Sequence, residues 1–298
     1  MVSYNLAMLQ TLSTRQWDEN FSSSIQQQAI SNLESGSLLY FPELAFSLTS
    51  EEKHFLSPDY ADPRAKNIGY HPQSQKIWGY QRLTEEQCQS LANMLARFSR
   101  YAHQLIKALL PHYSSQLMSG RASFRPVQIS YRKTSYRKDD KRLHVDAFPS
   151  SPNQGKRILR VFCNVNPQGE DRVWRLGEPF EVVAKRFLPM IRKPFPGKSS
   201  ILRSLKITKS YRTLYDHYML RMHDSMKADE QYQVDAQQQE IRFPANTTWV
   251  VQTDHVSHAA MRGQHMLEQT FYLPVQAMQN ESLSPLRTLE RLLQRKLV

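Results

Sequence analysis

The chain contains ten histidines but a single His-x-Asp, His144-Val145-Asp146. With 27 acidic residues in 298 positions, about one His-x-acid match is expected by chance, so its surroundings must carry the argument. It follows the alternating, β-branched run Val127-Gln128-Ile129-Ser130-Tyr131 and precedes the turn sequence Pro149-Ser150-Ser151-Pro152. On extended backbone residues i and i+2 share a face, so His144 and Asp146 can offer a nitrogen and a carboxylate oxygen to one ion. A histidine from a distant strand would complete a two-histidine, one-carboxylate set, which holds Fe(II) and leaves coordination positions open for oxygen chemistry. The candidates lie in Asp254-His255-Val256-Ser257-His258-Ala259-Ala260. His258 enters an apolar strand that runs to Gly263 and is preferred; His255 lies nearer the loop and is expected outside the set.

Those residues need strands to hold them, and the second half of the chain supplies strand signals. Ile158 to Val165 is an apolar run ending at Asn166-Pro167; Thr247 to Gln252 follows Pro244-Ala245-Asn246; Met266 to Leu273 stops at Pro274. Short strands separated by turn chemistry point to a β-sandwich or jelly roll. Leu38 to Phe41 reads as an earlier strand, and residues 57–80 as an ordered loop rich in Pro, Gly, Asn and Tyr. Ser22 to Leu33 reads as a short amphipathic helix. The capping box Thr84-Glu85-Glu86-Gln87 opens a long helix with Leu91, Leu95, Phe98, Ala102, Leu105 and Leu109 on one face, ending before Pro111. Leu214, Tyr218 and Met222 mark a further helix within Tyr211 to Lys227, on which Asp216-His217 and His223-Asp224 are expected to be solvated.

Composition narrows the partners. Lysine plus arginine number 39, for a net charge of +12, and Arg121 to Arg160 alone holds eleven basic residues against Asp139, Asp140 and Asp146, a net +8. Such a window attracts polyanions: nucleic acid, anionic lipid headgroups or an acidic substrate. No metalloprotease His-Glu-x-x-His, hydrolase Gly-x-Ser-x-Gly or phosphate-binding Gly-x-x-x-x-Gly-Lys is present, and no nucleic-acid-binding motif is found. No apolar run approaches the length of a transmembrane helix, the first twenty residues predict no secretory signal, and Cys88 and Cys163 fit a reducing cytoplasm.

The runs His144-Val145-Asp146-Ala147-Phe148-Pro149-Ser150, Arg160-Val161-Phe162-Cys163-Asn164-Val165-Asn166-Pro167, Asp254 to Ala260 and Leu267-Glu268-Gln269-Thr270-Phe271 resemble the Kdo hydroxylase family, within the Fe(II)/2-oxoglutarate dioxygenase superfamily. The resemblance spans about residues 38 to 275. It implies an α+β chain with a double-stranded β-helix (jelly-roll) core, N-terminal helices and a helical insertion. Residues 1–298 would form one dioxygenase domain: 1–115 mainly helical, 116–179 and 236–275 the jelly-roll strands, 180–235 the helical insertion and 276–298 a C-terminal helix.

The resemblance further implies Fe(II) on His144, Asp146 and His258, with 2-oxoglutarate as co-substrate and O2 as oxidant. The implied reaction is hydroxylation of the 3-position of a Kdo sugar on Kdo-lipid A, with succinate as co-product. A bacterial, cytoplasmic enzyme, peripheral on the inner face of the cytoplasmic membrane, would fit that substrate. Many members of the superfamily carry an arginine about ten residues after the distal histidine to bind 2-oxoglutarate; here that place holds Glu268 or Gln269. A buried carboxylate still needs a cation. Another branch of the superfamily supplies it from the strand about fifteen residues after the first histidine, which here favours Arg160 over Arg157, with Arg262 third. Tyr131 and Asn164 could bond the remaining oxygens. Two alternatives stand: the same chemistry on another anionic substrate such as nucleic acid, and a non-catalytic basic β-sandwich binding nucleic acid or membrane.

Overall fold

The computed structural model describes residues 9–129, 134–195 and 197–298. In chain order these form β1 (Leu9–Thr11), α1 (Ser23–Glu34), β2 (Leu38–Phe41), β3 (Ile68–His71), β4 (Lys76–Trp78), α2 (Glu85–Leu109), β5 (Met118–Arg125), β6 (Arg157–Asn164), β7 (Arg172–Leu176), α3 (Phe180–Phe187), α4 (Lys198–Ser204), α5 (Leu214–Ala228), α6 (Glu230–Asp235), β8 (Gln239–Phe243), β9 (Thr248–Gln252), β10 (His258–Arg262), β11 (Met266–Leu273) and α7 (Pro285–Leu293). Eight strands make one sheet in the order β1-β2-β9-β6-β11-β5-β3-β4, and β10-β7-β8 make a second. This is the expected α+β architecture with a β-sandwich core.

The central strand β6 explains the layering. Every one of its eight residues is buried, so it has a covered face on each side and reads as a near-continuous apolar run. Leu159, Val161 and Cys163 face the core shared with Leu91, Leu95 and Phe98 of α2, while Phe162 points into the sandwich among Trp174, Phe243 and Trp249. The long helix forms as its sequence requires: Thr84 Oγ1 accepts from Gln87 N and Gln87 Oε1 accepts from Thr84 N, closing the capping box.

Two expectations are corrected. The strand expected at Val127–Tyr131 lies earlier, at β5; Pro126 has no N–H for the ladder, and Ser130 and Tyr131 lie outside the described residues. Residues 57–80, expected as a loop, contain the hairpin β3–β4, which extends the large sheet beyond β5. The first 115 residues hold α1 and α2 and also add β1 and β2 at one edge of the sheet and β3 and β4 at the other.

Candidate functional site

The turn after β9 and the segment 144–146 are laced together by backbone. His144 N donates to His258 O at 3.0 Å, His258 N returns a bond to His144 O at 2.9 Å, and Asp146 N donates to Thr253 O at 2.8 Å. His144 therefore sits on an isolated bridge to His258 and not within a strand of its own. The turn itself is pinned by Asp254, whose carboxylate accepts from Arg157 Nε at 2.8 Å with both side chains fully buried.

One nitrogen of each imidazole is already committed. His144 Nδ1 lies 2.8 Å from Arg142 O, and His258 Nδ1 lies 2.8 Å from Val256 O. The Nδ1–H tautomer this favours leaves both Nε2 lone pairs for a ligand, as in metal-binding histidines. His144, Asp146 and His258 each present one such atom within 4.8 Å of the others. Trp174 stacks on the His258 ring at 5.1 Å and 21°, fixing its plane. Burial, reinforced by Lys227, holds the His144 pKa well below its usual range, and burial likewise lowers that of His258. Burial alone would raise the Asp146 carboxyl, but Arg160 outweighs it and keeps the group ionised. Two neutral imidazoles and one carboxylate are the protonation states a divalent metal needs.

The three residues open into a cavity of about 760 Å³ between the two sheets, lined also by Arg125, Arg160, Arg172, His223 and Lys227. Arg160 Nη2 lies 3.0 Å from Asp146 Oδ2 and its Nη1 lies 3.2 Å from Glu268 Oε1. Arg125 pairs with the same Glu268, whose carboxyl burial would raise but Arg160 and Arg125 hold down at about 2. The position where the superfamily often has a cation thus carries an anion, and the cations come from the neighbouring strands β5 and β6. Nε of Arg125 and of Arg160 are buried with no hydrogen-bond acceptor among the described residues, which suits an incoming anion.

The other candidates fall elsewhere. Arg157 is three residues from Arg160, an odd spacing that turns it to the opposite face of β6, where it binds Asp254. Arg262 ends β10 exposed. Asn164 is spent on structure, its Nδ2 donating to Glu170 O and Phe243 O. His255 stands apart from the triad, against the Phe180 ring, where burial pushes its pKa down to about 3. Tyr131 lies outside the described residues. The expectation that Asp216, His217 and His223 are solvated is wrong: all three are buried, and His223 packs edge-on against the His144 ring at 5.3 Å. Sequence reading also missed Lys227, whose ammonium is pushed down to about 8 by burial against the pull of Asp140. The i, i+4 spacing of His223 and Lys227 was the available signal.

A buried His-Asp-His set at the mouth of a β-sandwich, with cations along one wall, is the arrangement of an Fe(II)/2-oxoglutarate dioxygenase. The model of the 3-deoxy-D-manno-oct-2-ulosonic acid (Kdo) hydroxylase family matches residues 16–296. This chain belongs to that family and is an enzyme of the dioxygenase class. It is similar to the Kdo hydroxylase KdoO solved with α-ketoglutarate and Fe(III), at 47% identity over 98% of this chain and 97% of that one, with a TM-score of 0.94. The apo form of KdoO gives 48% identity, the same coverage and a TM-score of 0.95. The cobalt(II) complex gives 48% identity over 97% of each chain, again at 0.95. No curated protein matches the chain.

Proposed function

We propose that the protein hydroxylates the 3-position of a Kdo sugar carried on lipid A, with His144, Asp146 and His258 as the ligands of Fe(II). The observation that carries the assignment is the convergence of those three side chains, each with its spare nitrogen or oxygen turned to one point, in a chain 47% identical to an enzyme solved with iron and α-ketoglutarate. When bound, the metal and 2-oxoglutarate supply an oxidative decarboxylation that yields succinate and delivers one atom of O2 to a substrate C–H bond. The chain's own residues do the rest. Trp174 and the two backbone carbonyls fix the imidazoles, and Arg160 fixes the carboxylate.

Arg160 is the preferred anchor for 2-oxoglutarate. Of the three arginines named from sequence, it alone lines the cavity. Ten Lys and Arg residues line the cavity against five Asp, and Glu268 lies behind Arg125 and Arg160, so the surroundings stay net positive before a metal dication arrives. A dianionic co-substrate is favoured there. Asn164 and Arg157 are supported only as scaffold, and Arg262 not as an anchor. The basic surroundings also favour an acidic, phosphorylated sugar lipid, which would bring a cytoplasmic enzyme to the inner face of the membrane; no helix among the described residues is long and apolar enough to cross it.

The test is turnover with Kdo-lipid A, 2-oxoglutarate and Fe(II). The expected result is succinate formed in step with a lipid product heavier by one oxygen, placed at the sugar 3-position by NMR. Iron and 2-oxoglutarate binding without product would refute the substrate and leave the class.

A further inference from the structure

Within Arg121 to Arg160, Arg125, Arg157 and Arg160 are buried in ion pairs, and Arg121, Arg137 and Lys138, which are exposed, line the cavity already described. A different segment presents its charge outward. Between Leu188 and Arg212 stand seven basic residues, and no Asp or Glu occurs from Val182 to Tyr215. Arg192, Lys193, Arg203, Lys206 and Lys209 are exposed. So are the apolar side chains: six of the thirteen exposed large hydrophobic residues lie between Met190 and Tyr211, with Leu205 at 64% and Met190 at 60%. Ile201 on α4 and Leu205 at its C-cap are four residues apart, joined by the bond from Leu205 N to Ile201 O, so they share a face, and Ile207 follows. In water, apolar side chains gathered in so short a stretch cost free energy unless something covers them.

We infer that this segment is a docking surface for an anionic lipid bilayer. Exposed Ile, Leu and Met interleaved with Lys and Arg match the two layers of such a surface, acyl chains beneath and phosphates above. A protein partner would need acidic groups to meet the same cations, and a second copy would bring its own basic segment against this one. The place of the surface adds to the case. Lys209 N donates to Ser150 O at 2.9 Å and Arg212 Nη2 donates to Pro149 O. Phe148 and Pro149 line the cavity that holds His144 and Asp146. Docking there would set the cavity mouth beside the lipid headgroups. The surface stands on its own residues; its service to the reaction rests on the proposed function.

The test is co-sedimentation of the full chain with vesicles of phosphatidylethanolamine and phosphatidylglycerol in equal parts, against vesicles of phosphatidylcholine. The wild type is expected to pellet with the anionic vesicles, less so as salt rises. Ile201→Ser with Leu205→Ser, and separately Arg203→Glu with Lys209→Glu, are each expected to weaken binding by at least about tenfold. Both variants should keep the wild-type circular dichroism and anaerobic iron binding. Equal binding to neutral vesicles, salt-independent binding, or full binding by both variants would overturn the inference. So would a wild-type dimer that the substitutions turn into a monomer, which would assign the surface to a second copy. The two readings fail separately: vesicle binding without iron binding sinks the proposed function, and iron binding without vesicle binding sinks the surface.

Discussion

The cavity wall and the Leu188–Arg212 segment are both rich in arginine and lysine, yet they treat charge in opposite ways. In the wall, Arg160 meets Asp146 and Glu268, and Arg125 meets Glu268. In the segment, seven basic residues have no acid in their own stretch of sequence, and five are exposed. Burial explains the difference. A charge taken out of water costs several kcal/mol unless paired, so buried cations must come with carboxylates, whereas exposed ones keep their hydration. Paired charge positions atoms and unpaired surface charge attracts partners. The +8 window of the sequence divides between the two: Arg125, Arg157 and Arg160 are buried in ion pairs, while Arg121, Arg137 and Lys138 are exposed.

The largest effect should come from breaking the wall at its centre. Asp146→Ala and His144→Ala are each expected to reduce succinate formation to background while thermal unfolding remains cooperative. Full activity in Asp146→Ala would remove the carboxylate from the reaction.

Next comes the pairing itself. Arg160→Ala strands Asp146 and Glu268 as buried carboxylates, and loss of about 3–5 kcal/mol of stability is expected from urea unfolding. At temperatures where the variant is folded, its requirement for 2-oxoglutarate should rise and respond little to salt. An unchanged 2-oxoglutarate dependence would place the anchor on another cation of the wall.

An imidazole buried without a charge partner should obey the same rule by staying neutral. Burial pushes His265 down to about 4, against about 6.5 for a free histidine. Between those values the unfolded chain binds more protons than the folded one, so stability falls as the pH falls through 6.5 and levels off below 4. The slope should approach about 1.4 kcal/mol per pH unit for this residue in metal-free protein. His265→Asn tolerates the left-handed backbone there, φ 57°, and should flatten the slope. An unchanged slope would assign the acid sensitivity to other groups, His255 first.

The smallest effect concerns the rim. Neutralising Lys138 and Lys141 should reduce the rise of KM with salt without altering kcat, because exposed attraction fades over a Debye length of about 8 Å. Arg142 does not belong in that variant: it holds Lys227 O at 2.8 Å and Glu230 at 2.7 Å, so its loss would loosen α5 against α6.

Much of this was legible in sequence where one physical signal ruled. The capping box and 3.6-residue stripe of α2, the β9 and β11 runs bounded by Pro and Asn, and the His-x-Asp spacing are local, and the structure agrees with them. Alternation along β6 sends Arg160 and Arg157 to opposite faces, and of the two Arg160 lines the cavity. What could not be read was long-range. Glu268 is an anion only tertiary pairing explains, since Arg125 lies 143 residues away. His223 and Lys227 become site residues because α5 packs over His144; their i, i+4 spacing puts them on one face of the helix but does not say what that face meets. The exposed face at Ile201 and Leu205 looks like an ordinary helix stripe until the fold shows that nothing among the described residues covers it.

The central claim is that His144, Asp146 and His258, and not His255, make the metal centre, and metal content decides it most directly. Iron measured after anaerobic loading and desalting should be one per chain in the wild type and in His255→Ala, and near zero in His258→Ala. Retention of iron by His258→Ala together with its loss from His255→Ala would contradict the account, because His255 lies against Phe180 and away from Asp146.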